Sequence, residues 1–161
     1  MAAAVSRPRW SREVRVTIAK ALATVIAGQF DDTTSGGPGP DMVLAALTEL
    51  IHDPDALVRA AAYEALGTTS CPAPLAARAQ AALSDLAWQV RVGAATALSL
   101  ADAGLAVPAL AKALADPNAD VRKAAVAALT RHRATEDARA ALATATTDPD
   151  ADVRAYAARA L

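Results

Sequence analysis

"DPNADVRKAAVAAL", residues 116–129, decides how this chain is read. Nearly the same phrase stands at residues 53–66 as "DPDALVRAAAYEAL" and at 148–161 as "DPDADVRAYAARAL". A catalytic motif occurs once as a rule, whereas a phrase returning at a fixed period is the mark of a repeat architecture. Taking each Val-Arg pair as register gives Val14-Arg15, Val58-Arg59, Val90-Arg91, Val121-Arg122 and Val153-Arg154, with steps of 44, 32, 31 and 32 residues between arginines. Six residues before the arginine stands Asp53, Asp85, Asp116 or Asp148, and the first copy has Arg9 there. Five before stands Pro54, Pro117 or Pro149, replaced by Trp10 and Leu86 in the other two copies. Six after is always alanine (Ala21, Ala65, Ala97, Ala128, Ala160), and seven after always leucine (Leu22, Leu66, Leu98, Leu129, Leu161).

Each copy reads as a helical pair. First segments such as "MVLAALTELI" (42–51) and "VPALAKALA" (107–115) space their apolar residues three and four apart. Pro74 and Pro108 are expected near helix starts, where the first turn has no amide partner to lose. Thr135, followed by Glu136 and Asp137, predicts an N-cap with acids in the first turn. Asp-Pro closes the first helix, because the residue before proline is pushed out of the α region. The second helix is expected to start near Asp120 and Asp152. Composition agrees: 54% of residues are hydrophobic, 3% aromatic, and alanine supplies roughly three in ten. Alanine is the best helix former, and no clear period-2 segment occurs, so the expectation is an all-α fold.

The Asp-Pro pair, the arginine six residues later in "DVR" and the trailing "AAxxAL" resemble HEAT repeats across residues 9–161. The short period is similar to the bacterial subclass found in phycobilisome lyase proteins. The resemblance implies a right-handed α-solenoid of about four and a half helix pairs, one continuous domain over 1–161, with the second helices lining a concave surface. It says little of activity, since scaffolds, adaptors, nucleic-acid binders and a few enzymes share the superfamily.

The arginine series Arg15, Arg59, Arg91, Arg122 and Arg154 has two readings. It is a basic stripe for phosphates, or an internal ladder in which each arginine bonds a repeat aspartate of its own unit or the next. Four of five copies carry the aspartate at the same offset, which favours the ladder. Arg9 fits as well: if each aspartate serves the preceding unit, the first copy needs none. The repeated alanines and leucines are core positions. Positions that vary along the second helix are Val16, Ala60, Val92, Lys123 and Ala155, then Lys20, Glu64, Thr96, Ala127 and Arg159, with Tyr63 beside them. Their mixed charge suits a protein or peptide better than a polyanion. The long first step places its surplus in "GQFDDTTSGGPGPD" (28–41), a glycine- and proline-rich surface loop. Asp31, Asp32 and Asp41 fit no calcium-loop spacing. The expected partner contacts are Lys20, Phe30, Asp31, Asp32, Tyr63, Glu64, Lys123 and Arg159.

The formal net charge of −1 argues against broad attraction to polyanions, but it is unevenly spread: +4 over 1–27, −6 over 28–57 and +1 over the remainder. Arg7, Arg9, Trp10, Arg12 and Arg15 form a basic, aromatic cluster that supports a nucleic-acid-binding alternative, with Trp88 read as lying in an inter-helix turn. Later repeats add little unbalanced basic surface, which disfavours it. A lyase or chaperone accessory subunit is a further alternative on fold analogy alone. His52 and His132 are the only histidines, and no His-Glu dipeptide like those of HEAT-type di-iron hydroxylases occurs. There is no zinc-ligand spacing and no glycine-rich phosphate loop, and Cys71 in "TTSCPAP" has no nearby partner. The reading is therefore non-catalytic, with no metal or cofactor. One cysteine excludes an intramolecular disulfide, no apolar run approaches eighteen residues, and "MAAAVSRPRWSREVR" lacks a signal h-region, so a cytoplasmic protein is expected. The preference for arginine, with the alanine content, has the look of a GC-rich bacterial genome. The array ends on "YAARAL" without a polar cap, so self-association through that end and continuation past Leu161 both stay open.

Overall fold

Every second helix starts from the same turn. A computed structural model describes residues 10–26, 39–68 and 71–161 of the chain. Asp55 is extended (φ −83°, ψ 124°) and its carboxylate accepts the Leu57 amide at the start of α3 (Ala56–Leu66). Asn118 caps α7 (Ala119–Arg131) by accepting from the Asp120 and Val121 amides, and Asp150 does the same for α9 (Ala151–Ala160). The third residue of "DPD" or "DPN" is thus the cap, and both helices begin one residue earlier than expected. Ala87 stands there before α5 (Trp88–Ala97) and offers no side-chain acceptor, a difference of about 1 kcal/mol in a helix of this kind.

The first helices of the pairs are α2 (Pro40–Leu50), α4 (Ala73–Ala82), α6 (Ala103–Ala113) and α8 (Glu136–Ala145). Pro74 falls in the first turn of α4, and the Thr135 hydroxyl accepts the Ala138 amide at 3.3 Å. Pro108 does not open its helix: α6 starts at Ala103, after a 3₁₀ turn at Leu98–Leu100, and the proline is interior. Its missing amide deprives only the Gly104 carbonyl, and Pro108 and Gly104 are both exposed, so water can serve that oxygen.

A leading helix, α1 (Arg12–Ile26), packs on α2 and α3. From there α3 touches α5, α5 touches α7 and α7 touches α9, which makes one layer of second helices. α4, α6 and α8 touch in order to form the other layer. Among the described residues the chain is nine α-helices with no strand, an α-solenoid of four pairs plus α1. Leu66, Leu98, Leu110, Leu129 and Leu142 fill the space between layers, with Val58, Val90 and Val121 at the arginine-adjacent position. Two of the repeated alanines and leucines are not core. Ala21 is exposed on α1, and Leu161 is 62% exposed after α9, because no described helix lies over either of them.

Candidate functional site

The turns and the arginines form a chain of contacts from one unit to the next. Arg15 Nε lies 2.8 Å from Asp53 Oδ2, Arg59 Nη2 3.0 Å from Asp85 Oδ2, Arg91 Nε 2.7 Å from Asp116 Oδ2, and Arg122 Nε 2.8 Å from Asp148 Oδ2. Nη1 points the other way. In Arg59 it donates to the Asp53 and Pro54 carbonyls at 3.0 and 3.1 Å, and Arg91, Arg122 and Arg154 repeat the arrangement on their own turns. Each carboxylate in turn accepts the amide two residues on, at 2.8 to 2.9 Å. An arginine therefore closes its own turn through carbonyls and holds the next unit through a carboxylate. Arg154 makes only the first set of contacts among the described residues.

Arg122's hydrogen bond holds the Asp148 carboxyl below its usual range. For Asp116, burial alone would push the carboxyl up; the Arg91 hydrogen bond, the Asn118 amide and the nearby guanidiniums outweigh it and hold the group low. A carboxyl with a depressed folded-state pKa gives stability that is complete above its unfolded value, about 3.9, and is lost as pH falls through the folded value. Urea midpoints followed by circular dichroism should drop between pH 5 and pH 3. The Asp116→Asn/Asp148→Asn chain should start weaker and show a shallower drop. Parallel slopes would remove these two groups from the acid response.

On its outer side the second-helix layer carries two grooves. The first, about 540 Å³, runs over α1, α3 and α5, with Val16, Leu57, Ala60, Trp88 and Val92 as its apolar lining and Lys20, Glu64 and Gln89 among its polar residues. Trp88 and Leu57 are 40% and 41% exposed, large apolar side chains turned toward solvent at the helix starts. Trp88 is the first residue of α5 and not part of a turn, because the turn before it is completed by Asp85 accepting the Ala87 amide. Glu64 is exposed, but partial desolvation in the groove still raises its carboxyl, and Lys20 across the α1–α3 seam offsets part of that. The second groove, about 590 Å³, lies over α7 and α9 on a floor of Ala124, Val126, Ala127 and Ala160. There Lys123 Nζ sits 2.8 Å from Asp120 Oδ1 and 4.0 Å from Asp152 Oδ2. Arg159 stacks on Tyr156, its guanidinium carbon 5.2 Å from the ring centre, and its Nε donates to the Ala155 carbonyl.

Lys20 and Glu64 thus share one groove, and Lys123 and Arg159 share the other. Tyr63 belongs to neither. It is 5% exposed, its hydroxyl donates to the Arg78 carbonyl at 3.4 Å, and it points from α3 toward the α4/α5 pair. Phe30, Asp31 and Asp32 lie outside the described residues, as do Arg7 and Arg9. Of the basic cluster, Arg15 is buried in the ladder and Arg12 pairs with Glu13 at 3.0 Å, so the described part offers no row of unpaired cations. Sequence reasoning missed Trp88, Leu57 and Tyr156 as groove residues. The available signal was a large side chain at a position where other copies have small or polar ones.

The isolated reactive groups do not assemble. Cys71 is buried and its thiol is pushed up to about 11 by burial, which keeps it protonated at neutral pH. His52 Nε2 is 2.7 Å from Arg78 Nη1, and the buried His132 meets the Leu98 carbonyl oxygen at 3.0 Å. Among the described residues no three metal-ligating side chains gather, and no helix is long and apolar enough to cross a membrane.

Comparison with known proteins follows the same lines. Among curated proteins none matches the sequence. A designed armadillo repeat protein in complex with the peptide (KR)4 superposes with TM-score 0.63 at 17% identity, over 99% of this chain and 78% of that one. The Escherichia coli protein YibA gives TM-score 0.60 at 24% identity, over 92% of this chain and 59% of that one. An engineered protein gives TM-score 0.57 at 23% identity, over 96% and 74%. At such identities the likeness is one of fold. The sequence model described as HEAT repeats matches residues 75–161, and that described as HEAT repeat matches 43–69. The first alone spans more than half of the chain, and the chain belongs to the HEAT-repeat family.

Proposed function

We propose that this protein is a non-catalytic platform that binds a peptide segment of another protein along the outer face of its second helices. The observation that carries the reading is the first groove. Trp88 and Leu57 are held open to solvent by three packed helices, in a chain where aromatics are only 3% of residues. Large rigid aromatic side chains in a pre-formed groove are the usual anchors of peptide recognition. The ladder fixes the spacing of those helices before any partner arrives, which lowers the ordering cost of binding. The designed armadillo neighbour binds a peptide of alternating Lys and Arg. This face carries both signs, so its partner is not a uniformly basic one.

The test is selection of random twelve-residue peptides, displayed as fusions to a phage coat protein, on the immobilised full chain. Enriched peptides should carry a bulky apolar side chain and bind Trp88→Ala at least about tenfold more weakly, the loss of one buried anchor. The helical circular-dichroism signal should stay unchanged in that variant. Peptides that bind wild type and Trp88→Ala equally would overturn the groove assignment.

A further inference from the structure

The second groove adds a chemical requirement to that reading, on which it rests. Arg12 pairs with Glu13 and Lys123 with Asp120, while Lys20 is beyond ion-pair distance of Glu64 but lies close enough for its charge to act on that carboxyl. Arg159 has no carboxylate within ion-pair distance among the described residues. Its Nε is satisfied by the Ala155 carbonyl, which leaves the two terminal nitrogens of the guanidinium to take a ligand. The Tyr156 ring lies under the group, 5.2 Å from ring centre to guanidinium carbon, and both side chains are exposed. Beside them lies a floor of Ala124, Val126, Ala127 and Ala160, and the Thr130 hydroxyl that also lines the groove is already donated to the Val126 carbonyl at 2.8 Å.

We propose that the α7–α9 groove binds an aspartate or glutamate side chain of the partner peptide, next to an apolar residue that lies on the alanine floor. The planar fork of a guanidinium takes a carboxylate through two parallel hydrogen bonds. The alanine floor accepts an aliphatic or aromatic neighbour and accepts no second charge. Lys123 does not compete for the acid, because Asp120 already neutralises it. The two grooves are on one layer, α5 and α7 being adjacent helices, with axes about 8–10 Å apart as packed helices generally are. A single extended peptide crosses from one groove to the other. The preferred sequence is therefore an apolar anchor for Trp88 and, several residues away, an acid with an apolar neighbour.

The same display selection tests this, since the fused peptides have no free C-terminus and only side-chain carboxylates are read. Peptides enriched on the wild type should carry an acid at a fixed distance from the apolar anchor. Resynthesised as C-terminal amides, they should bind Arg159→Gln about tenfold more weakly and lose most of their salt dependence. Acid-to-amide replacement in the peptide should weaken wild-type binding by a similar factor and leave Arg159→Gln binding unchanged. Peptides that depend on Trp88 but show no acid preference, or whose acid is indifferent to Arg159→Gln, overturn this inference and leave the platform reading standing. Failure to enrich any peptide overturns both.

Discussion

Replacing Asp53 with alanine lowers the stability of the chain by about 3–5 kcal/mol, the cost of stranding one partner of a buried ion pair. Asp53 is 1% exposed and Arg15 9%, so the guanidinium left behind has little access to water. The same carboxylate also accepts the Asp55 amide at 2.9 Å, the contact that shapes the turn into α3. Asp85→Ala removes a chemically identical group with a milder result, about 1–2 kcal/mol, because the Arg59–Asp85 side chains keep 21% and 20% of their exposure. Urea unfolding followed by circular dichroism reads both. The buried rung should lose clearly more than the less buried one. Equal losses would mean that desolvation does not grade the ladder. A third chain separates charge stranding from lost packing: Asp53→Ala with Arg15→Met should recover much of the deficit, since the unpaired charge is then gone.

The repeat was legible because five copies could be laid on one another, so accidents at single positions cancelled. Direction within the ladder had one sequence signal, Arg9 in place of the first aspartate, which fits aspartates that serve the preceding unit. The fold adds that each arginine takes carbonyls from its own turn as well as a carboxylate from the next. Tyr63 shows a case where the copies held the answer. Its equivalents Ala19, Ala95, Val126 and Ala158 are all apolar, and all but Ala158 on the last described helix are buried, so the column is a core column with one aromatic member. Glu64, one residue on, is rotated about 100° around the helix and is exposed. The α6 start at Ala103 was hidden because a proline late in the second turn mimics one in the first. Trp88 was misplaced by a turn because Ala87, unlike Asp55, Asn118 and Asp150, carries no capping side chain to mark the boundary.

Substitution of Gly93 by valine should cost about 3 kcal/mol, at the upper end of overpacking effects. A Cβ on Gly93 would lie 2.6 Å from the Ala60 carbonyl oxygen and 3.1 Å from Tyr63 Cβ. Both are atoms of α3 near or on its backbone, and neither can rotate away. Two effects oppose each other in Gly93→Ala. Helix propensity favours alanine by about 1 kcal/mol, and the clash disfavours it by more, because relieving it means shifting α5 off α3. Gly104→Ala is the internal control. There the added Cβ meets only the Asp102 carboxylate oxygen, at 3.1 Å, on an exposed and flexible side chain. That variant should be neutral or slightly more stable, so one substitution type takes opposite signs at two helical glycines. Denaturant midpoints of the three chains decide the matter, and a stabilised Gly93→Ala would show that contact with α3 does not set the position of α5. Trp88 and Leu57 stand on those same two helices. A chain in which α5 has moved should therefore also bind the Trp88-dependent peptides more weakly, although no residue of the groove itself has been changed.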